Sequence, residues 1–275
     1  MSGTRRDTVT YAFAVTRACP PADALAAEAG HDGGGPLRAL PAGRLWLVVQ
    51  DVPAQAFGGD RLTARLNSPD ELESCARAHH RGVEAAARQG AVVPFPMATM
   101  YLDDRNAVQA VTDREPSLCA LLDRLRDRTE WAVKVHAAEA SAASGGAGDA
   151  AGAGATGGRD YLSRVSARRR TVREEHEKAL AAAQAVDHEL RRYAVAATRH
   201  RRQSEQLTGT RAPQLLNAAY LVEDGRRADF ARALARLAAD RRHPAVEISA
   251  SGPWIPYSFA RPEREWHGSC QEARA

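Results

Sequence analysis

The sequence predicts an α+β protein of two domains. Three observations carry this. Apolar runs of strand length alternate with amphipathic helical stretches in both halves of the chain. Composition collapses to almost nothing but Ala, Gly, Ser and Thr over residues 141–158. A stretch free of Gly and Pro, rich in Ala, Arg, Glu and Leu, then runs from Arg159 to Thr208. The expected division is residues 1–128, residues 129–260 and a polar tail, 261–275. The middle part carries a flexible insertion over 141–158 and a long helix over 159–208.

The first half justifies its elements in turn. Thr8–Thr16 is β-branched and aromatic, hence a strand, and Cys19-Pro20-Pro21 ends it. Residues 22–29 read as a short helix stopped by Gly30. The glycine-rich loop His31–Pro36 lacks the spacing and the Lys-Ser/Thr of a phosphate loop. Leu45–Val49 is continuously apolar, as in a strand with neighbours on both sides. Residues 51–67 read as loop. Ser68-Pro69-Asp70-Glu71 is a helix start, with a cap residue, proline in the first turn and an acid three residues on. That helix runs to about Gln89. Ala91–Tyr101 is a strand broken by Pro94 and Pro96, so it belongs at an edge or a bulge. Residues 117–128 form a second amphipathic helix, with Leu118, Leu121, Leu122 and Leu125 on one face. The order of strands and helices suggests a ferredoxin-like domain.

The second half opens with the strand Glu130–His136. The insertion 141–158 cannot bury enough surface to order itself. In the run that follows, Val165, Val172, Ala179, Val186 and Tyr193 fall seven apart. Leu162, Ala183, Leu190 and Ala197 make a companion seam, interrupted by Arg169 and His176. A helix of that length would measure roughly 60 to 70 Å and would have to project or pack on a partner or a second copy. Leu215–Val222 is a strand, residues 227–240 a helix, and Ala245–Ser249 a strand. Ser251–Phe259 follows. Its prolines exclude a helix or a central strand, and its rings Trp254, Tyr257 and Phe259 need an apolar surface to lie on. They serve either as a lid on the last domain's edge, the preferred reading, or as a docking ribbon for a partner.

Composition and motifs exclude several functions. The net charge of +4 is spread along the chain and carried almost wholly by Arg. Arg168, Arg169, Arg170 and Arg173 are followed by Glu174, Glu175 and Glu177, the pattern of a solvated helix surface rather than a nucleic-acid site. Tyr11 and Phe13 share a strand without the basic-aromatic octamer of an RNA-recognition sheet. The four cysteines are scattered, as reduced thiols would be. Cys75 and His79 stand four apart on one helix beside His80, but two ligands do not make a metal site. Glu174–Glu177 around His176 lacks HExxH spacing. Asp103-Asp104 reads as a solvated turn. No hydrolase, dinucleotide or Walker motif is present, and no apolar stretch is long enough to span a lipid membrane. No catalytic residue, cofactor or metal is expected.

One resemblance runs along the chain. Gly252-Pro253-Trp254-Ile255-Pro256-Tyr257-Ser258-Phe259 resembles the Gly-Pro-Trp-Pro-Pro-Tyr-Ser-Phe signature near the C-terminus of the GvpL/GvpF family of gas vesicle accessory proteins, with Ile255 in place of the first paired proline. Tyr11–Val15 is similar to that family's opening strand. Val92-Val93-Pro94 with Met97-Ala98-Thr99 is similar to a further strand, although Pro96 and Ala98 stand where Arg and Gly are usual. Glu130–Val135, Gly158–Leu162 and Asn217–Val222 match three more motifs in order.

The resemblance implies a modified ferredoxin-like domain joined to a domain with a long helix. It implies a non-enzymatic, chaperone-like accessory protein, cytoplasmic before assembly and a minor component of the gas vesicle afterwards. Its implied partners are the hydrophobic gas vesicle shell protein and other accessory proteins. A shell subunit exposes apolar surface that aggregates in water, and a partner covering it prevents this. Candidate contacts are Pro94, Phe95, Met97, Tyr101, Trp254, Tyr257 and Phe259, with self-association through the long helix. The alternative is a small-ligand binder or enzyme using the cleft between the domains.

Overall fold

The structure, a computed structural model, describes residues 7–138, 158–201, 212–240 and 245–261. The expected insertion up to residue 157, the expected helix end at 202–208 and the tail beyond Arg261 lie outside the described residues. The chain divides into two compact units. One comprises residues 1–129 together with 254–275, the other residues 130–253. The closing aromatic segment therefore belongs with the first unit, a correction to the expectation that 129–260 form one domain.

In the first unit, β1 (Thr8–Thr16), α1 (Ala22–Ala26), β2 (Arg38–Ala42) and β3 (Leu45–Pro53) are followed by α2 (Ala54–Phe57), α3 (Gly59–Asn67) and α4 (Pro69–Ala87). Then come β4 (Val92–Pro94), β5 (Met100–Tyr101), α5 (Asp104–Thr112) and α6 (Glu115–Leu125). The sheet runs β2-β3-β1-β4, with β5 also on β1. Each of these pairings is antiparallel. That order, with helices after β1 and β3, is the ferredoxin-like arrangement extended by β5, α5 and α6.

Strand β2 is absent from the sequence expectation because Pro41 and Arg38 weaken its signal. Its register comes from the hairpin: Ala42 pairs with Leu45 across the two-residue turn Gly43-Arg44, with Gly43 at φ 65°. Residues 54–67 are helical, not loop. Phe57 is buried there and the Arg65 guanidinium lies 4.7 Å from its ring centroid, a tertiary contact that local sequence does not encode. Asp103 is no solvated turn. It caps α5, accepting from the Asn106 backbone N–H at 2.8 Å, while Asp104 pairs with Arg38 at 2.7 Å.

A bulge at Phe13 sets the core. Ala12 pairs with Val49 and Ala14 with Val48, so Phe13 is the extra residue. Tyr11 and Phe13 are both buried beneath α4. The α4 helix approaches so closely at Gly82 that a Cβ there would lie 2.3 Å from the Phe13 ring.

The second unit contains β6 (Arg128–Ala137), which begins at its boundary, then α7 (Gly158–Arg191), β7 (Ala196–Arg199), β8 (Gln214–Glu223), α8 (Arg227–Ala239) and β9 (Val246–Trp254). Its sheet runs β7-β8-β6-β9. The long helix is shorter than expected. It has 34 residues, about 50 Å at 1.5 Å per residue, and stops at Arg191. Tyr193 N–H bonds back to Leu190 in a turn, Val195 N–H donates to the Leu221 carbonyl, and Ala196–Arg199 pair with β8. Strand pairing overrides the helix propensity of a segment that carries neither Gly nor Pro. Among the described residues the C-terminal half of the predicted seam packs: Ala179, Ala183, Val186 and Leu190 are buried with Tyr220 and Phe230, whereas Val172 is 57% exposed. No coiled coil is formed within this chain among the described residues.

Candidate functional site

The first unit contains a cavity of about 460 Å³. One wall is the segment Val93–Met97, another the face of α4 bearing Ala76, His79 and His80, and a third the start of α6 with Arg114 and Leu118. Tyr257, Ala260 and Arg261 of the closing segment complete it.

The wall at Val93–Met97 is fixed from behind. Phe95 N–H donates to the Phe13 carbonyl at 2.9 Å, continuing the pairing of β4 with β1. The alternating positions 94 and 96 therefore face away from β1, and both are Pro, which has no N–H to offer. A partner strand finds no donor at either position, which makes this edge a poor template for strand addition. What it presents instead is side-chain surface.

Behind the wall lies a network of aromatic and imidazole groups. Ala98 N–H donates to Tyr11 Oη at 2.9 Å, and Tyr11 Oη lies 3.0 Å from His79 Nδ1. His79 Nε2 lies 3.1 Å from the Phe95 carbonyl. The carbonyl only accepts, so His79 carries its proton on Nε2 and Nδ1 receives the Tyr11 hydroxyl. Burial lowers the His79 pKa to about 4, with the bond to Phe95 opposing and neighbouring His80 assisting. Burial also raises the Tyr11 pKa. His79 is thus a neutral core imidazole, with neither nitrogen available as a base. Phe13 stacks between His79 and His31, at interplanar angles of 23° and 19°.

On the open side, His80 Nδ1 lies 2.9 Å from Tyr257 Oη and its Nε2 lies 3.2 Å from Glu84 Oε1. With Nε2 donating to the carboxylate, Nδ1 accepts the Tyr257 hydroxyl. This pair ties the closing segment to α4.

The predicted contact residues separate into three groups. Pro94, Phe95, Met97 and Tyr257 line the cavity together. Trp254 lies outside its lining, 45% exposed and edge-on to His80, with ring centroids 6.2 Å apart. Phe259 is buried and Tyr101 is half-buried on β5, opposite Thr10. Sequence reasoning missed Ala76, Arg114, Leu118 and Arg261. They come from three places in the chain, α4, the start of α6 and the closing segment, and only the apolar face of α6 gave any signal. Among the described residues there is no cluster of three or more His, Cys, Asp or Glu able to hold a metal, and no helix long and apolar enough to cross a membrane.

A ferredoxin-like unit and a second sheet unit carrying a long helix define an α+β protein of two antiparallel sheets. The sequence profile of the family described as gas vesicle synthesis protein GvpL/GvpF matches residues 9–261, and the chain belongs to that family. It is 37% identical over 268 residues to gas vesicle protein L of Streptomyces sp. (strain CB03234), covering 97% of this chain and 98% of that one. Its fold is shared with crystal structures of the gas vesicle protein GvpF. For that of Anabaena sp. PCC7120 the TM-score is 0.65 at 14% identity, over 93% of this chain and 99% of that one. For that of Microcystis aeruginosa it is 0.61 at 15% identity, over 92% and 99%. The family is one of gas vesicle proteins and not of enzymes.

Proposed function

We propose that this chain binds the hydrophobic gas vesicle shell protein, together with other accessory proteins, while vesicles nucleate, and keeps the shell protein from aggregating until it is incorporated. It acts before assembly in the cytoplasm and stays with the vesicle as a minor component. The observation that carries this reading is the cavity of the first unit, where Pro94, Phe95, Met97 and Tyr257 converge on one apolar surface. Apolar pockets of a few hundred Å³ with a few polar groups are binding sites. A subunit whose apolar face must stay out of water until it meets its neighbours needs such a cover.

The test is co-purification of tagged chain with the shell protein, and light scattering of shell protein diluted from denaturant with and without the chain. Complex formation and suppressed scattering are expected. Normal vesicles in a deletion strain would reject the reading.

Self-association through α7 is a second part of the proposal, favoured by its outer half. Residues 166–178 are exposed on every side and include Val172. Among the described residues this half of α7 packs on nothing, which leaves Val172 open to a second copy. Mass measured by light scattering as concentration rises should exceed that of a monomer, and Val172→Asp should restore the monomer.

A further inference from the structure

We infer that the outer half of α7 pairs with the same half of a second copy in the antiparallel direction, with Arg168 of each copy against Glu175 of the other. This rests on the self-association proposed above and names its direction and its charge contacts.

The stripe of α7 that is buried at Ala179, Ala183, Val186 and Leu190 continues outward at the same heptad spacing. There it passes through the exposed Val172, with Arg169 and His176 in the companion positions. Arg168 and Glu175 each stand one residue before a companion position, so both flank the stripe on the same side. Both are exposed, and neither has an ion-pair partner among the described residues. Arg173, by contrast, is held by Glu177 at 3.0 Å. Within one helix Arg168 and Glu175 lie about 10 Å apart along the axis and cannot meet. The basic turn and the acidic turn that follows it therefore hold complementary charges that only another molecule can bring together.

Direction decides which charges meet. In a parallel pair in register, Arg169 would face its own copy across the seam, and Arg168 would lie against Arg173 of the other helix. Guanidinium would meet guanidinium at each of these contacts. An antiparallel pair centred between Arg170 and Thr171 reverses this. Arg169 then lays its methylene stem on Val172 of the other copy and keeps its charged end in water. Arg168 meets Glu175 of the other copy, and the two-fold axis makes that contact twice. The sequence thus favours one direction by attraction and opposes the other by repulsion. With a single valine at its centre, the pairing is held mainly by exposed charge and is sensitive to salt.

The experiment is sedimentation equilibrium of the full chain over a range of concentration, at low and high salt. Arg168→Glu and Glu175→Arg are compared with wild type, singly and as an equal mixture of the two single variants. Both positions are exposed, and each variant is checked for an unchanged urea midpoint. Wild-type association should weaken with salt. Each single variant turns two attractions into two repulsions and should self-associate about tenfold more weakly at low salt. The mixture should recover wild-type association, because each variant supplies the charge that the other lacks. A parallel pair predicts the opposite for Arg168→Glu, which would set an acid against Arg173 and tighten association, and that result overturns the proposal. Wild-type chain that stays monomeric at every concentration overturns self-association and this pairing together. Self-association that Val172→Asp abolishes and neither charge variant moves keeps the helix contact and overturns the antiparallel pairing. A mixture as weak as its components overturns the contact between Arg168 and Glu175. Wild-type monomers whose binding to recombinant shell protein is weakened by either charge variant would make the outer half of α7 a shell-protein site and overturn the proposal.

Discussion

Tyr11 Oη sits 3.0 Å from His79 Nδ1, and both groups are buried. This bond joins the central strand of the first sheet to α4, directly behind the cavity wall. It exists as drawn only while His79 is neutral. His31, on the far side of Phe13, is also lowered to about 4, by burial first and then by neighbouring His79, Arg65 and Arg81.

Both histidines bind protons more readily when unfolded. Between their unfolded value near 6.5 and their folded value near 4, the unfolded chain holds the extra protons, so stability falls as pH falls. Each histidine contributes a slope approaching about 1.4 kcal/mol per pH unit inside that window, and none above it. Urea midpoints should be level from pH 8 to pH 7 and decline from pH 6 to pH 5. His79→Gln, which can still donate an amide N–H to the Phe95 carbonyl, should lose stability at pH 7 but flatten the decline. An unchanged slope in that variant would show that His79 does not titrate on unfolding.

Ala98 has φ 66°, in the left-handed region, and its N–H is the donor to Tyr11 Oη. A Cβ in that region costs roughly 1 kcal/mol or more, while glycine adds unfolded-state entropy of roughly 0.5–1 kcal/mol. The strain is the larger of the two. Ala98→Gly should therefore raise stability by up to about 1 kcal/mol, and Ala98→Val, β-branched, should lower it by about 2 kcal/mol. Thermal midpoints of the two variants decide the matter, and a less stable Ala98→Gly would contradict the argument.

The same position shows what the sequence disclosed and what it withheld. Ala98 stands where the resembling family has glycine, and the backbone explains that glycine. Strand β1, the start of α4 after Ser68-Pro69, the face of α6 and strand β8 were legible because each has its own period or punctuation. Strand β2 was not, since a proline-bearing edge strand gains its shape from its neighbour β3. The end of α7 was not, because Arg191–Arg199 has good helix formers and gives way to β8 only in three dimensions. Half of the site was read from the Pro-aromatic segments. Arg114 and Arg261 meet there through tertiary packing, and no spacing in the sequence relates them.

Gly82 tests how tightly α4 packs on the bulge. In a helix interior Gly82→Ala gains about 1 kcal/mol of propensity. Here the new Cβ would stand 2.3 Å from Cδ1 of Phe13, a fully buried ring held between two imidazoles, with no room to give. Overpacking of this kind costs about 1–3 kcal/mol, so the clash exceeds the propensity gain and a net loss of about 1–2 kcal/mol is expected. Combining it with Phe13→Leu should recover part of the loss. Chemical denaturation of the three variants measures both terms, and a stabilised Gly82→Ala would mean that the helix stands further from β1 than described.

Asp187 is the corresponding pivot of the second unit. It is 3% exposed and accepts from Tyr220 Oη at 2.6 Å, from Arg199 at 2.6 Å and from Arg191 at 3.2 Å. Burial alone would raise its pKa, but these three bonds outweigh it and hold the carboxyl below the usual range. The shared carboxylate fixes the last turn of α7 to β7 and β8, at the point where the sequence alone would have let the helix continue. Asp187→Ala leaves the buried Tyr220 hydroxyl without its acceptor, while the two exposed guanidinium groups turn to water, and should cost about 2–4 kcal/mol. Tyr220→Phe removes one donor and leaves the charge pairs, and should cost about 1–2 kcal/mol. Amide exchange across β7 should accelerate in the first variant far more than in the second. Equal and small effects in both would mean that strand pairing alone, without the buried acid, ends the helix.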